Sequence, residues 1–228
     1  MQSNRLLAPL RRKDRHQLLA GCDQVELSVG EILLEPGQRI RHVYFPRDSF
    51  ISQLAPVDDH ENLELALVGN EGMLGISLVL GVNSSMLQAV VQGPGSALRM
   101  SAASFVRELE RIPALRRRLK RYIYVLQVQL ALTVTCNSFH TLDKRLARWL
   151  LMSHDRAQLG NFHLTHKLLA QMLGVRRVGI TNAAGLLQRR QVISYKRGDI
   201  TVLSRSGLEN AACSCYESSN ATYASVLG

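Results

Sequence analysis

Apolar and polar positions change period along the chain, and each change marks an element. Over residues 3–21, Leu6, Leu7, Leu10, Leu18 and Leu19 gather on one side of a helix and Arg11, Arg12, Lys13 and Arg15 form a solvated face. From about residue 25 to 100 the pattern becomes short runs of β character, at 25–27, 32–34, 42–45, 50–54, 63–67, 88–92 and 97–100. Turn residues punctuate them at Pro36-Gly37, Asp58-Asp59, Gly69-Asn70 and Pro94-Gly95. Many short strands at this pitch predict a β-roll or barrel. From Pro113 to about Cys136 the period is that of one long helix, with Leu119, Ile123, Leu126, Leu130 and Thr133 at 4-3-4-3 spacing and five cations crowding its first half. That stripe reads as a dimer seam; the competing reading is a helix lying on its own β-domain. Residues 137–140 read as a hinge, and Leu142, Leu146, Trp149 and Leu150 open a second core.

The stretch 164–193 predicts two short helices and a tight turn. Thr165 is an N-cap, Leu168, Leu169, Met172 and Leu173 form one buried stripe, and Gly174 supplies the left-handed residue at the reversal. In the second helix Ile180, Ala183, Ala184 and Leu187 face inward, leaving Arg176, Arg177, Val178, Thr181 and Asn182 outward. The spacing Ala170, Gly174, Ile180 suits a helix-turn-helix: a small residue where helices touch, glycine in the turn, an aliphatic anchor beneath the second helix. An ordinary core hairpin is the alternative. The outward Arg-Arg pair opposes the helix dipole and weighs against it, because such cations are suited to phosphates or guanine edges. Two short strands follow, 192–196 and 200–203, around Arg197-Gly198-Asp199; they form a wing with Lys196 and Arg197 at its tip, either meeting a DNA backbone or solvated.

Length and charge sharpen this picture. The 228 residues suit two domains. The net charge is +10, and residues 141–228 carry 12 Lys and Arg against 5 Asp and Glu, so the basic excess sits with the helix-turn-helix and fits a polyanion. No apolar run approaches a membrane span and no signal sequence is evident, which predicts a cytoplasmic protein with no membrane partner. Cys22, Cys136, Cys213 and Cys215 show neither zinc spacing nor a disulfide framework, so no metal site and no cofactor are expected. Cys213-Ser214-Cys215, the only close pair, reads as small buried residues on a terminal helix, with a redox or metal-binding role as the alternative.

A β-roll, a long helix, a hinge and a winged helix-turn-helix, in that order, resemble the Crp/Fnr superfamily of bacterial transcription regulators across nearly the whole chain. Gly30-Glu31-Ile32 with Glu35-Pro36-Gly37 is similar to the early roll signature of cyclic-nucleotide-binding folds. Arg145-Leu146-Ala147, then Leu164-Thr165 through Gly174-Val175 and Arg177, are similar to the family's DNA-binding segment. The resemblance implies an α+β fold: a cyclic-nucleotide-binding-like roll over residues 1–112, a dimerisation helix over 113–136 seamed by Leu119, Ile123, Leu126 and Leu130, a hinge at 137–140, a winged helix-turn-helix over 141–216 and a tail over 217–228. It implies DNA contacts from Thr165, Arg176, Arg177, Val178, Thr181, Asn182, Lys196 and Arg197, with Arg177 on a guanine.

Departures from the family carry information too. The effector pocket of the resemblance falls on Gly72, Met73, Gly75, Leu87, Gln88 and Ala89, where Met73 replaces the glutamate that holds a ribose and Leu87 the arginine that holds a cyclic phosphate. A buried phosphate without a cation is costly to desolvate, so control by cyclic AMP in the usual way is not expected and the effector is unknown. The iron–sulfur ligands of the Fnr branch are absent, Cys22 standing alone near the N-terminus. Val178 occupies the place of a glutamate that reads cytosine and Asn182 that of a second arginine, implying a different operator: Asn182 on adenine, Val178 near a thymine methyl. Gly179 and Gly185 each cost about 1 kcal/mol of helix propensity; Gly179 serves either close backbone approach or packing.

The expected function is therefore a homodimeric regulator of a palindromic operator on double-stranded DNA, with RNA polymerase a further candidate partner. A regulatory module acting through protein contacts is the alternative, marked by salt-insensitive or absent DNA binding. An enzyme on a cupin-like roll would need clustered ligands; His42 and His60 lack that spacing.

Overall fold

The computed structural model describes residues 3–57, 61–157, 161–196 and 198–228. Asn4 is buried against the roll. The Asn4 side-chain amide donates to the carbonyls of Pro46 at 3.0 Å and Gly72 at 2.8 Å, and its oxygen accepts from the Leu6 N–H at 3.0 Å. This local bonding and Pro9, which has no N–H to give a helix, keep the following residues in turns. Helix α1 (Arg12–Ala20) is accordingly shorter than the expected 3–21; Leu6, Leu7, Leu10 and Leu18 are still buried, but Leu19 is 37% exposed.

The roll comprises β1 (Asp23–Leu27), β2 (Ile32–Leu34), β3 (His42–Pro46), β4 (Phe50–Val57), β5 (Glu61–Val68), a 3-10 helix (Ile76–Leu80), β6 (Gln88–Gly93) and β7 (Gly95–Ser101). Every strand predicted from the β runs is present, most of them a residue or more longer. They form two antiparallel sheets, ordered β1-β7-β3 and β2-β6-β4-β5. Residues alternate in burial along β6, and Val43, Phe45, Ile51, Val68, Met73, Ala89, Val91 and Met100 meet in the core between sheets and helices.

Ser101 caps α2 (Ala102–Arg111) by accepting from the Ser104 N–H at 3.2 Å, and Pro113 opens α3 (Pro113–Phe139) at a position where no N–H is needed. Leu115, Leu119, Tyr122, Val125, Gln129 and Cys136 form the buried face of α3. The expected seam is therefore corrected at one end. Leu119 lies wholly inside the chain's own core, and Ile123 and Leu126 pack partly against it, whereas Leu130 is 38% exposed with Val134 and Phe139 beyond. The helix also runs three residues further than expected, so the break before α4 (Leu142–Ala157) is His140 and Thr141 alone.

The remainder comprises β8 (Asn161–His163), α5 (His166–Leu173), α6 (Arg177–Arg189), β9 (Ile193–Lys196), β10 (Asp199–Val202), α7 (Arg205–Ala211) and α8 (Cys215–Leu227). The expected tail over 217–228 is a helix instead. It packs along α3: the Tyr223 hydroxyl donates to the Glu71 carbonyl at 3.0 Å, Arg5 lies 4.5 Å over the Tyr223 ring, and Arg118 donates to the Leu227 carbonyl at 2.6 Å.

Phe50, Leu54 and Leu67 of the roll share one apolar cluster with Leu146, Trp149, Leu150, Leu169, Ile180 and Leu187, so the C-terminal part docks on the outer face of β4 and β5. Buried polar groups cross the junction. Trp149 Nε1 donates to Glu64 at 2.6 Å, Ser52 donates to the same carboxylate at 2.5 Å, and Arg156 reaches Glu71 at 2.6 Å. Burial pushes the Glu64 carboxyl up to about 7, against the hydrogen bonds from Ser52 and Trp149.

Candidate nucleic-acid interface

Two helices hold the candidate interface, and each is set by local chemistry. Thr165 caps α5 by accepting the Leu168 N–H at 3.2 Å. Gly174 ends it at φ 63° and ψ 45°, a conformation that costs an L side chain energy, and the Val175 N–H returns to the Ala170 carbonyl at 2.9 Å. Arg145 on α4 donates to the Leu173 carbonyl, one of the acceptors left over at that helix end. The family resemblance singles out Arg145, but no local pattern announces this brace. Beneath α6, Ile180, Ala183, Ala184 and Leu187 are buried as the spacing requires.

What remains on the outside is the expected face. Arg176, Arg177, Val178, Thr181 and Asn182 are all exposed, Val178 at 65% despite its apolar side chain. No acidic residue stands in the first turn of α6, so Arg176 and Arg177 add to the positive end of the helix dipole. Thr181 is partly occupied: its hydroxyl lies 3.2 Å from the Arg177 carbonyl and 3.1 Å from His166 Nδ1. The His166 ring stacks on Tyr195 of β9 at 4.4 Å, and the Tyr195 hydroxyl donates to the Leu164 carbonyl at 3.1 Å. This chain of contacts fixes α5, α6 and the wing to one another. Burial, and then Arg177, hold His166 below its ordinary pKa, favouring the neutral ring.

The wing is a three-stranded sheet ordered β8-β10-β9, a strand more than the expected hairpin. Lys196 is exposed at the end of β9, and Gly198 adopts φ 95° in the turn; Arg197 lies outside the described residues. One cation escaped the sequence reading. Lys167 joins Arg176 and Arg177 in a cleft of about 850 Å³ whose opposite wall is Val57, Asn62 and Leu63 of the roll.

The residues of the expected effector pocket do not form one polar site. Met73 is buried in the core and the position of a Gly72 side chain is filled by the Tyr122 ring and hydroxyl of α3. Gln88 is already engaged, donating to Glu35 at 2.8 Å and accepting from Asn62 at 3.3 Å. Leu87 and Gly75 line a recess of about 270 Å³ together with Leu34, Ile40, Leu126 and Leu130. Its polar lining is Gln53, Ser77, Ser84 and Ser85, with no cation among the described residues. His42 is exposed, edge-on to Tyr44, and His60 lies outside the described residues.

Residues 144–211 match the Crp-like helix-turn-helix domain. Over most of the chain the fold, a cyclic-nucleotide-binding-like roll followed by this domain, is that of solved Crp/Fnr-type regulators. A protein of Eubacterium rectale assigned to the crp/fnr family superposes with a TM-score of 0.69 at 15% identity, covering 90% of this chain and 96% of its own. FixK2 of Bradyrhizobium japonicum gives 0.69 at 15% identity over 84% of this chain and 98% of its own. The c-di-GMP-responsive global regulator CLP of Xanthomonas campestris gives 0.68 at 13% identity over 85% and 100%. Comparison with curated protein sequences finds no significant match.

Proposed function

We propose that this chain is a cytoplasmic, homodimeric transcription regulator of the Crp/Fnr type that binds a palindromic DNA operator and carries out no catalysis. The observation that carries the reading is the outer face of α6: two arginines, a valine, a threonine and an asparagine exposed above an apolar anchor, in a domain that matches the Crp-like helix-turn-helix. Arg177 reads a guanine, Asn182 an adenine, and Val178 meets a thymine methyl; Thr165, Arg176, Thr181, Lys196 and Arg197 position the domain on the phosphates. Pairing along the outer half of α3, where Leu130 and Val134 are exposed, sets two recognition helices about 34 Å apart for half-sites one turn apart. RNA polymerase is the further partner this reading allows.

The roll does not answer to cyclic AMP. Its recess is largely apolar, and the carboxylate of Glu35 rather than a cation holds Gln88, so a cyclic phosphate would enter a site with no charge to meet it. An effector of this recess is a small, largely apolar molecule.

Selection of bound duplexes from a random DNA pool with the purified protein tests the proposal. A two-fold symmetric sequence should be enriched. Failure to enrich any sequence, both for the protein alone and after addition of cell extract, would contradict it.

A further inference from the structure

The folded chain brings four metal-ligand side chains to one point that the linear spacing hides. Cys136 lies in the last turn of α3 and His140 one turn on, at its C-cap; Cys213 and Cys215 lie between α7 and the first residue of α8. Cys136 Sγ and Cys213 Sγ are 3.5 Å apart, Cys215 Sγ and His140 Nδ1 are 3.6 Å apart, and all four donor atoms lie within 4.8 Å of one another. The three cysteines are buried, with Leu132 packed beside them. We propose that Cys136, His140, Cys213 and Cys215 bind one zinc ion in a closed structural site.

Geometry and donor chemistry both point to a single ion. Tetrahedral zinc holds sulfur at ~2.3 Å and nitrogen at ~2.0 Å, which puts its donors about 3.5–3.8 Å from one another. Two of the measured separations match that edge, and the limit of 4.8 Å leaves only a small contraction. Donors this close surround one ion rather than a multi-iron cluster. A Cys3His set is a recurrent structural zinc site, and four protein ligands leave no open position for catalysis. Free thiols packed together would not need a histidine nitrogen turned toward them.

The surroundings suit the charge. Binding releases the protons of three thiols and leaves three thiolates and Zn2+, a net charge of minus one. Arg148 on α4 is buried beside Cys136, and its Nε has no hydrogen-bond partner among the described residues. Arg148 also donates to Thr133 of α3 at 3.4 Å, so the same cation ties the site to the helix carrying two of its ligands.

Position gives the site its consequence. His140 belongs to the two-residue break between α3 and α4, and Cys213 and Cys215 join the helix-turn-helix part to α8. One ion therefore clamps the end of the long helix, the break and the start of the last helix. Zinc removal should loosen the placement of the DNA-binding part relative to the roll.

The test uses the full chain purified under reducing conditions without added metal or chelator. Elemental analysis should find about one zinc per chain. After chelator treatment, one equivalent of Co2+ should restore a tetrahedral cobalt spectrum with thiolate charge-transfer bands. Cys213→Ser should abolish both signals, whereas Cys22→Ser, remote from the site, should keep them. Cobalt binding by the unmutated chain stands as a readout even if Cys213→Ser fails to fold. Absence of stoichiometric metal together with no cobalt–thiolate bands would overturn the proposal. So would metal content unchanged in a folded Cys213→Ser protein, or iron with acid-labile sulfide in place of zinc.

Discussion

Arg177 begins α6 with no acidic neighbour in that turn, and among the described residues no hydrogen bond or ion pair occupies its guanidinium, so its position makes physical sense toward an outside anion or base edge. Arg177→Ala should weaken operator binding by about 1–3 kcal/mol and relax preference at one base pair per half-site, measured by competition with single-base operator variants. A uniform loss over all sequences would assign Arg177 to a phosphate. Glu64 makes a different kind of prediction. Its folded pKa, about 7, lies above the ordinary carboxyl value of 4.5, so the folded state holds this proton more tightly than the unfolded state does. Its stabilising proton is fully in place below about pH 4.5, and the contribution is lost as pH rises through 7. Denaturation midpoints should therefore fall between about pH 4.5 and 7 more steeply for the unmutated chain than for Glu64→Gln, which keeps an acceptor for Trp149 without a charge; parallel curves would refute this. Glu64 was not legible in the sequence, and Arg145 was legible only through the family resemblance, not as a brace. Each acts through a partner far along the chain, Trp149 for Glu64 and the Leu173 carbonyl for Arg145, and no local pattern announces such pairs.

Among the elements, the two glycines of α6 separate cleanly. A Cβ at Gly179 would stand 2.8 Å from Leu142 Cδ2, whereas one at Gly185 would meet only the tip of Arg189 at 3.5 Å. Gly185→Ala should raise stability by up to about 1 kcal/mol and Gly179→Ala should lower it, by chemical denaturation. The close approach of α6 to α4 thus accounts for Gly179, a point that sequence left open; for Gly185 the structure supplies no packing reason. In α3, Leu119→Ala should cost about 2–5 kcal/mol of stability, while Leu130→Glu with Val134→Glu should leave the folded chain intact and convert a dimer to a monomer in sedimentation analysis. A dimer unaffected by the double substitution would place the seam elsewhere. The strands, the long helix and the helix-turn-helix were readable because their apolar positions repeat at the period of the element and their caps and turns are local. The last helix was not. Between Tyr216 and Tyr223 it is mostly Ser, Asn, Ala and Thr, and its burial arises from α3 and the Glu71 carbonyl, contacts that only the folded chain supplies. The cysteine site was missed for the same reason, since its two halves are 73 residues apart.

For the whole molecule, the roll and the helix-turn-helix part are joined through one apolar cluster, the Trp149–Glu64 bond and the buried Arg156–Glu71 pair. Among the described residues no helix is long and apolar enough to cross a membrane. Calorimetric titration with cyclic AMP at millimolar concentration should give no saturable binding, given the apolar recess; micromolar saturation would contradict that account of the roll. Sequence-specific DNA binding by a symmetric dimer is tested by an anisotropy titration of the enriched duplex at two salt concentrations, beside a duplex with one half-site scrambled. Affinity should fall steeply with salt, as several released counterions require, and binding to the scrambled duplex should be much weaker. Binding that is insensitive to salt, or equal for the two duplexes, would contradict it.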